Sequence, residues 1–134
     1  MDASEDAPTL EAAYKLVAYE GRPVLKLSAG KESWVEPKQV WRRAGPEGCT
    51  GDILAVADEP APTREAEPLL EPVMRDGRRL RPPPTLAAVR ERAATERARL
   101  PAGVRQLVEP ARYPVEPSAT LRARQDAARA AVEG

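Results

Sequence analysis

Two stretches of this sequence carry residue types that could do chemistry. The first, Lys26 to Lys31 (KLSAGK), sets two lysines around a Ser-Ala-Gly turn, a composition with which backbone amides and an ammonium group can hold phosphate. It lacks the complete GxxxxGK(S/T) spacing, and the following ESWVEPKQV leads into a strand, so no helix N-terminus faces the turn. We read it as a strand-end turn with its lysines in solvent. The second, Arg75 to Arg81 (RDGRRLR), clusters guanidinium groups whose geometry suits phosphate and could contact RNA. No aromatic residues are interleaved there for base stacking, so a hairpin tip with solvated or salt-bridged arginines accounts for it.

The remaining catalytic inventory is short. The chain has no His, and Cys49 is its single Cys, without an imidazole partner for nucleophilic work or a second thiol for a disulfide. Triads, dyads and most metal sites are excluded on these grounds. We assign no catalytic, cofactor-binding or metal-ligating residue, and place Trp34 and Trp41 on a sheet face. One cysteine suits a reducing compartment. No run approaches the roughly 18 apolar residues of a membrane span, and the acidic start, with Asp2, Glu5 and Asp6, is the opposite of a signal peptide. A soluble cytoplasmic protein is expected.

Whatever positions these residues has little apolar bulk to build with. Of 134 residues 42% are apolar, but Phe is absent and there are only two Trp and three Tyr, so the core must be small. The 15 prolines are about twice the ordinary share and divide the chain into short elements. Formal charge is zero, yet 8 basic and 14 acidic residues precede Arg75 while 13 basic and 7 acidic follow from it. The two halves can attract each other, or the second can face an anionic partner.

An α+β unit follows, with a β-rich region over 1–82 and a helical region over 83–134. Strands are expected near 14–19, 24–27, 38–43, 52–57 and 69–75, the first two forming a hairpin around Glu20-Gly21-Arg22-Pro23. Asp76-Gly77 is a favoured two-residue hairpin turn. Thr85 is placed as the N-cap of a helix over Leu86 to Leu100, with a thin apolar stripe of Leu86, Val89, Ala93 and Leu100. Val104 to Val108 could add a turn of helix. Ser118 caps a last helix, Ala119 to Val132, with Leu121, Ala128 and Val132 near helical spacing.

The order of short motifs is more informative than any one of them. SEDAPTL (Ser4–Leu10), YKLV (Tyr14–Val17), GRPVLKLSAGKESW (Gly21–Trp34) and PKQVWR (Pro37–Arg42) resemble the C-terminal portion of nicotinate phosphoribosyltransferases. The resemblance continues through LLEPVMRDGRRL (Leu69–Leu80), LAAVRERAATERARLPAGVR (Leu86–Arg105) and RYPVEPS (Arg112–Ser118). It implies the fold of type II phosphoribosyltransferases, in which these residues leave the barrel's last strand, cross to the sandwich and end in outer helices. It also implies a role in NAD biosynthesis, joining nicotinate to phosphoribosyl pyrophosphate with ATP hydrolysis to give nicotinate mononucleotide.

In that family the phosphorylated histidine and most substrate-holding groups lie ahead of the SEDAPTL motif. The resemblance therefore implies a separately encoded or expressed tail that is inactive alone and binds no cofactor itself, ATP and phosphoribosyl pyrophosphate being substrates of the intact enzyme. Its implied partners are the N-terminal portion and, in the intact form, a second copy as homodimer; alone it would expose edges and apolar faces. One departure is visible. The family often has Pro-Gly ahead of the KQV strand, where this chain has Val35-Glu36-Pro37, and Glu enters positive φ less freely than Gly. The alternative function is a small Arg-rich module contacting RNA or another anion through Arg75 to Arg81 and the last helices.

Overall fold

The computed structural model describes residues 15–26, 33–46 and 48–133. Most of the KLSAGK stretch, Leu27 to Lys31, and the SEDAPTL motif lie outside them.

The first described element is a small hairpin, β1 (Ala18–Tyr19) against β2 (Arg22–Pro23). Glu20 and Gly21 both have positive φ, 48° and 74°, which is the two-residue loop that matches strand twist. That loop corrects the expected pairing of 14–19 with 24–27. Once Glu20-Gly21 forms the turn, Tyr19 must face Arg22, and Pro23 has no N–H to extend a regular ladder. Val24 still donates to the Val17 carbonyl at 3.0 Å.

The main sheet is built on β3 (Lys38–Gly45) and β4 (Gly48–Val56), an antiparallel pair that sets Trp41 opposite Ile53 and Arg42 opposite Asp52. A bulge between Arg43 and Ala44 shifts the register near the turn. The expected strand at 38–43 is present and two residues longer. The one expected at 52–57 starts earlier, at Gly48, and ends at Val56. The expected strand at 69–75 divides in two. β5 (Glu67–Pro68) pairs with β3 at the edge of the sheet, and β6 (Met74–Arg75) turns through Asp76-Gly77 into β7 (Arg78–Arg79) as a separate hairpin. Pro72 separates them because it cannot donate to a ladder.

Helix α1 (Leu86–Arg99) begins at Thr85, whose hydroxyl accepts the Ala88 N–H at 3.2 Å. No residue of α1 is buried, and of its expected apolar stripe Leu86, Val89 and Ala93 are exposed while Leu100, just past the helix, is half-buried. The region 83–134 is not wholly helical, which corrects a second expectation. Val104 to Val108 form no helix beyond a turn starting at Pro101, and β8 (Val115–Pro117) joins the sheet parallel to β4, giving the order β5-β3-β4-β8. An edge position suits this strand, since Pro117 need donate nothing. Helix α2 (Ala119–Glu133) closes the fold; the Leu121 N–H donates to Ser118 Oγ at 3.0 Å, fixing the predicted cap.

The core is small, as the composition requires. Among the described residues it comprises Val35, Cys49, Ala55, Val56, Ala66, Leu121 and Ala128, with only Leu121 and Val35 fully enclosed among the larger side chains. Along α2 the buried positions are Leu121, Gln125 and Ala128, while Val132 is exposed. An amide occupies the centre of that helix face.

Candidate functional site

Polar groups gather at two junctions. At the first, Arg42 on β3 meets its cross-strand neighbour Asp52 through two parallel bonds, Nε to Oδ1 at 3.1 Å and Nη2 to Oδ2 at 3.2 Å. The side chains are only 14% and 9% exposed. Its third nitrogen donates to Glu96 of α1 at 2.8 Å, and the other Glu96 oxygen accepts from Arg99 at 3.2 Å. Arg99 in turn grips both oxygens of Glu67 on β5 at 2.8 Å. Tyr113 donates its hydroxyl to Asp52 Oδ1 at 2.9 Å. One chain of charges thus ties β3, β4, β5, α1 and the approach to β8 together.

The electrostatics follow from the pairing. The hydrogen bond to Asp52 raises the pKa of Arg42 above its usual value, and the one to Glu67 does the same for Arg99. Desolvation, helped by the bond to Asp52, pushes the Tyr113 phenol up to about 12. Asp52, Glu67 and Glu96 are each held by an arginine, so none of the three stands ready as a general base, and Tyr113 keeps its proton at neutral pH. The junction fixes α1 to the sheet and presents no nucleophile.

The second junction seats α2. Gln125 accepts the Val35 N–H at 2.9 Å and donates to the Ser33 carbonyl at 3.2 Å. Arg124 pairs with Glu36 and reaches Asp58 at 3.5 Å. Glu36 sits at φ 63°, so a non-glycine residue holds a left-handed conformation that Gly enters more freely. Its side chain is held by Arg124, and Lys38 Nζ donates to the carbonyls of Trp34, Val35 and Glu36 at 2.8, 3.2 and 2.5 Å. Burial lowers the pKa of that lysine. Glu59 closes the far side, accepting the Val56 N–H at 2.6 Å and the Ser118 hydroxyl at 2.7 Å.

Of the residues singled out in the sequence, Glu36 and Ser118 belong to the second junction, whereas the arginine cluster, Lys26 and Cys49 are brought into neither. Arg75, Arg78, Arg79 and Arg81 are exposed on the β6–β7 hairpin. Arg81 pairs with Glu71 at 2.8 Å, and among the described residues the other three have no ion-pair partner. Lys26 is exposed. Trp34 is half-buried against α2 beside Arg122 and Gln125, and Trp41 lies within β3 opposite Ile53 and Pro68. Cys49 is buried and lines a cavity of about 690 Å³ with Leu100, Pro101 and Arg105, none of them a base. No group of three metal-ligating side chains occurs among the described residues, and no helix there is long and apolar enough to cross a membrane.

Sequence reasoning missed Arg42, Asp52, Tyr113 and Gln125. A signal existed for the first pair, because counting outward from the Gly45–Gly48 turn with one bulged residue sets 42 against 52. Tyr113 and Gln125 act across 61 and 90 residues of sequence, and no local pattern marks them.

Comparison with known proteins gives the arrangement its context. Residues 61–125 match the family model described as nicotinate phosphoribosyltransferase C-terminal domain. A nicotinate phosphoribosyltransferase of Mycobacterium tuberculosis is 40% identical over 114 residues, covering 84% of this chain and 24% of its own length. The Mus musculus enzyme of that name is 33% identical over 142 residues, covering 89% and 26%. The crystal structure of human nicotinic acid phosphoribosyltransferase superposes with a TM-score of 0.74 at 29% identity, over 86% of this chain and 26% of that one. The chain belongs with the C-terminal region of the nicotinate phosphoribosyltransferases. It spans about a quarter of the length of the relatives it matches. The two ion-paired junctions of this chain thus lie within an α+β unit whose fold matches part of the human enzyme.

Proposed function

We propose that the chain serves as the C-terminal structural part of a nicotinate phosphoribosyltransferase acting in the cytoplasm. The reaction is the joining of nicotinate to phosphoribosyl pyrophosphate, coupled to ATP hydrolysis, within NAD biosynthesis. This part contributes a folded support and no reacting group; its partners are the rest of the enzyme and, in the intact form, a second copy. The observation that carries the reading is one of coverage, since the mycobacterial relative aligns with 84% of this chain using only 24% of itself.

The test is a chimera of the mycobacterial enzyme in which its own C-terminal quarter is replaced by this chain. Formation of nicotinate mononucleotide by the chimera, and none by this chain alone, is the expected result. Turnover by the isolated chain, or a chimera that folds without activity, would overturn the reading.

A further inference from the structure

The stretch between β5 and the end of α1 is clamped at both ends and buries nothing of its own. At its start the Leu69 N–H donates to the Val40 carbonyl at 2.8 Å, and Gln39 bonds both the N–H and the carbonyl of Leu70 at 2.9 and 3.1 Å. At its end Glu96 and Arg99 are tied to Arg42 and Glu67. Between these clamps every residue from 71 to 95 is exposed. Val73, Met74 and Leu86 among them are 74%, 56% and 63% exposed, and Leu80 and Val89 are exposed too. A groove of about 710 Å³ between the start of the arm and α1 is lined by Leu69, Val73, Arg81 and Arg92 together with Glu67, Glu71 and Glu96, among others.

A segment held this firmly at its base while leaving its apolar side chains in water is a presented surface. We infer that this arm, residues 71–95, is the surface by which the chain docks on the preceding, catalytic portion of the enzyme. The inference rests on the function proposed above. The occupant follows from the roughly three quarters of each relative's length that lies outside the matched region. Its chemistry follows from the arm. Apolar Val73, Met74 and Leu80 call for an apolar centre, and Arg75, Arg78, Arg79 and Arg92, without ion-pair partners among the described residues, call for carboxylates around it.

Hydrogen exchange on the isolated chain and on the mycobacterial chimera tests this. In the chimera the amides of 71–95 should exchange about tenfold or more slowly relative to the isolated chain, while those of α2 change little. Val73→Glu with Leu80→Glu should lower the chimera's melting temperature and leave that of the isolated chain unmoved. A folded, active chimera whose arm exchanges as fast as in the isolated chain sinks the docking surface and leaves the proposed function standing. An inactive or unfolded chimera removes the function on which the inference rests. Dimerisation of the isolated chain abolished by the paired glutamates would assign the arm to a second copy. Salt-dependent retention on RNA, lost with Arg78→Ala and Arg79→Ala and accompanied by unchanged exchange, would assign it to nucleic acid.

Discussion

Gln125 and Val35 are joined by a bond from the Val35 N–H to the Gln125 side-chain oxygen, at 2.9 Å and across 90 residues of sequence. Both residues are buried, at 4% and 0% exposure. The amide is thus the acceptor that lets an irregular segment ahead of β3 sit beneath a helix without an unmet donor. Gln125→Leu adds apolar volume but strands that N–H. Urea unfolding should show a loss of about 1–3 kcal/mol, the penalty for a buried unsatisfied group. An unchanged midpoint would mean that water or another carbonyl replaces the glutamine.

Ion pairs in this fold should differ sharply in worth. Arg42 and Asp52 are mostly enclosed and doubly bonded, so Asp52→Asn, which leaves Glu96 as the remaining carboxylate on Arg42, should cost about 1.5–3 kcal/mol. The Arg81–Glu71 pair is 77% and 61% exposed. Arg81→Ala should therefore shift stability by under about 1 kcal/mol. Chemical denaturation of both variants side by side checks the ranking, and equal effects would contradict it.

Tyr113 predicts an alkaline weakness. Its folded pKa, raised to about 12 by desolvation and the bond to Asp52, exceeds the ordinary value of 10.0. The folded state holds this proton more tightly, so the contribution is complete below the unfolded pKa and fades as pH rises through the window from 10 to 12. Tyr113→Phe removes the titrating group. The stability difference between wild type and this variant should be constant from neutral pH to about pH 9 and shrink above about pH 10. A difference that stays flat through that range would show that Tyr113 does not titrate with folding.

Glu36 holds a left-handed conformation at φ 63°, with Arg124 gripping its carboxylate. Glu36→Ala keeps the strain and loses the ion pair, so it should destabilise the fold. Glu36→Gly loses the same ion pair but releases a strain of about 1–2 kcal/mol. The glycine variant should be the more stable of the two in thermal unfolding. The reverse order would mean that the turn relaxes when Arg124 lets go.

The parts of this fold that were legible in the sequence are those set by near neighbours. Thr85 and Ser118 cap helices because a hydroxyl needs only the amide three residues on, and Glu20-Gly21 and Asp76-Gly77 turn hairpins because φ is decided within the pair. The helix over 119–132 was readable from spacing, although its central buried residue is Gln125 and not an apolar one. β8 was not readable, because Val115-Glu116-Pro117 between prolines has no strand pattern and pairs only where β4 offers an edge. The junctions were hidden for the same reason, since Tyr113 meets Asp52 and Arg124 meets Glu36 only once the sheet and α2 are assembled. The motif order, which crosses all these elements, carried the family resemblance that no single junction could.

The parallel placement of β8 beside β4 bears on synthesis. Antiparallel β3 and β4 can pair as soon as both have left the ribosome, but the strand that completes the sheet is Val115–Pro117, and the acceptor for the Val35 N–H is made 90 residues after it. A nascent chain still lacking both β8 and α2 carries an open edge on β4 and an unmet amide at Val35. The unit is therefore finished only after translation has passed α2, and a premature stop or C-terminal nick before Ala119 removes the helix that seats Val35.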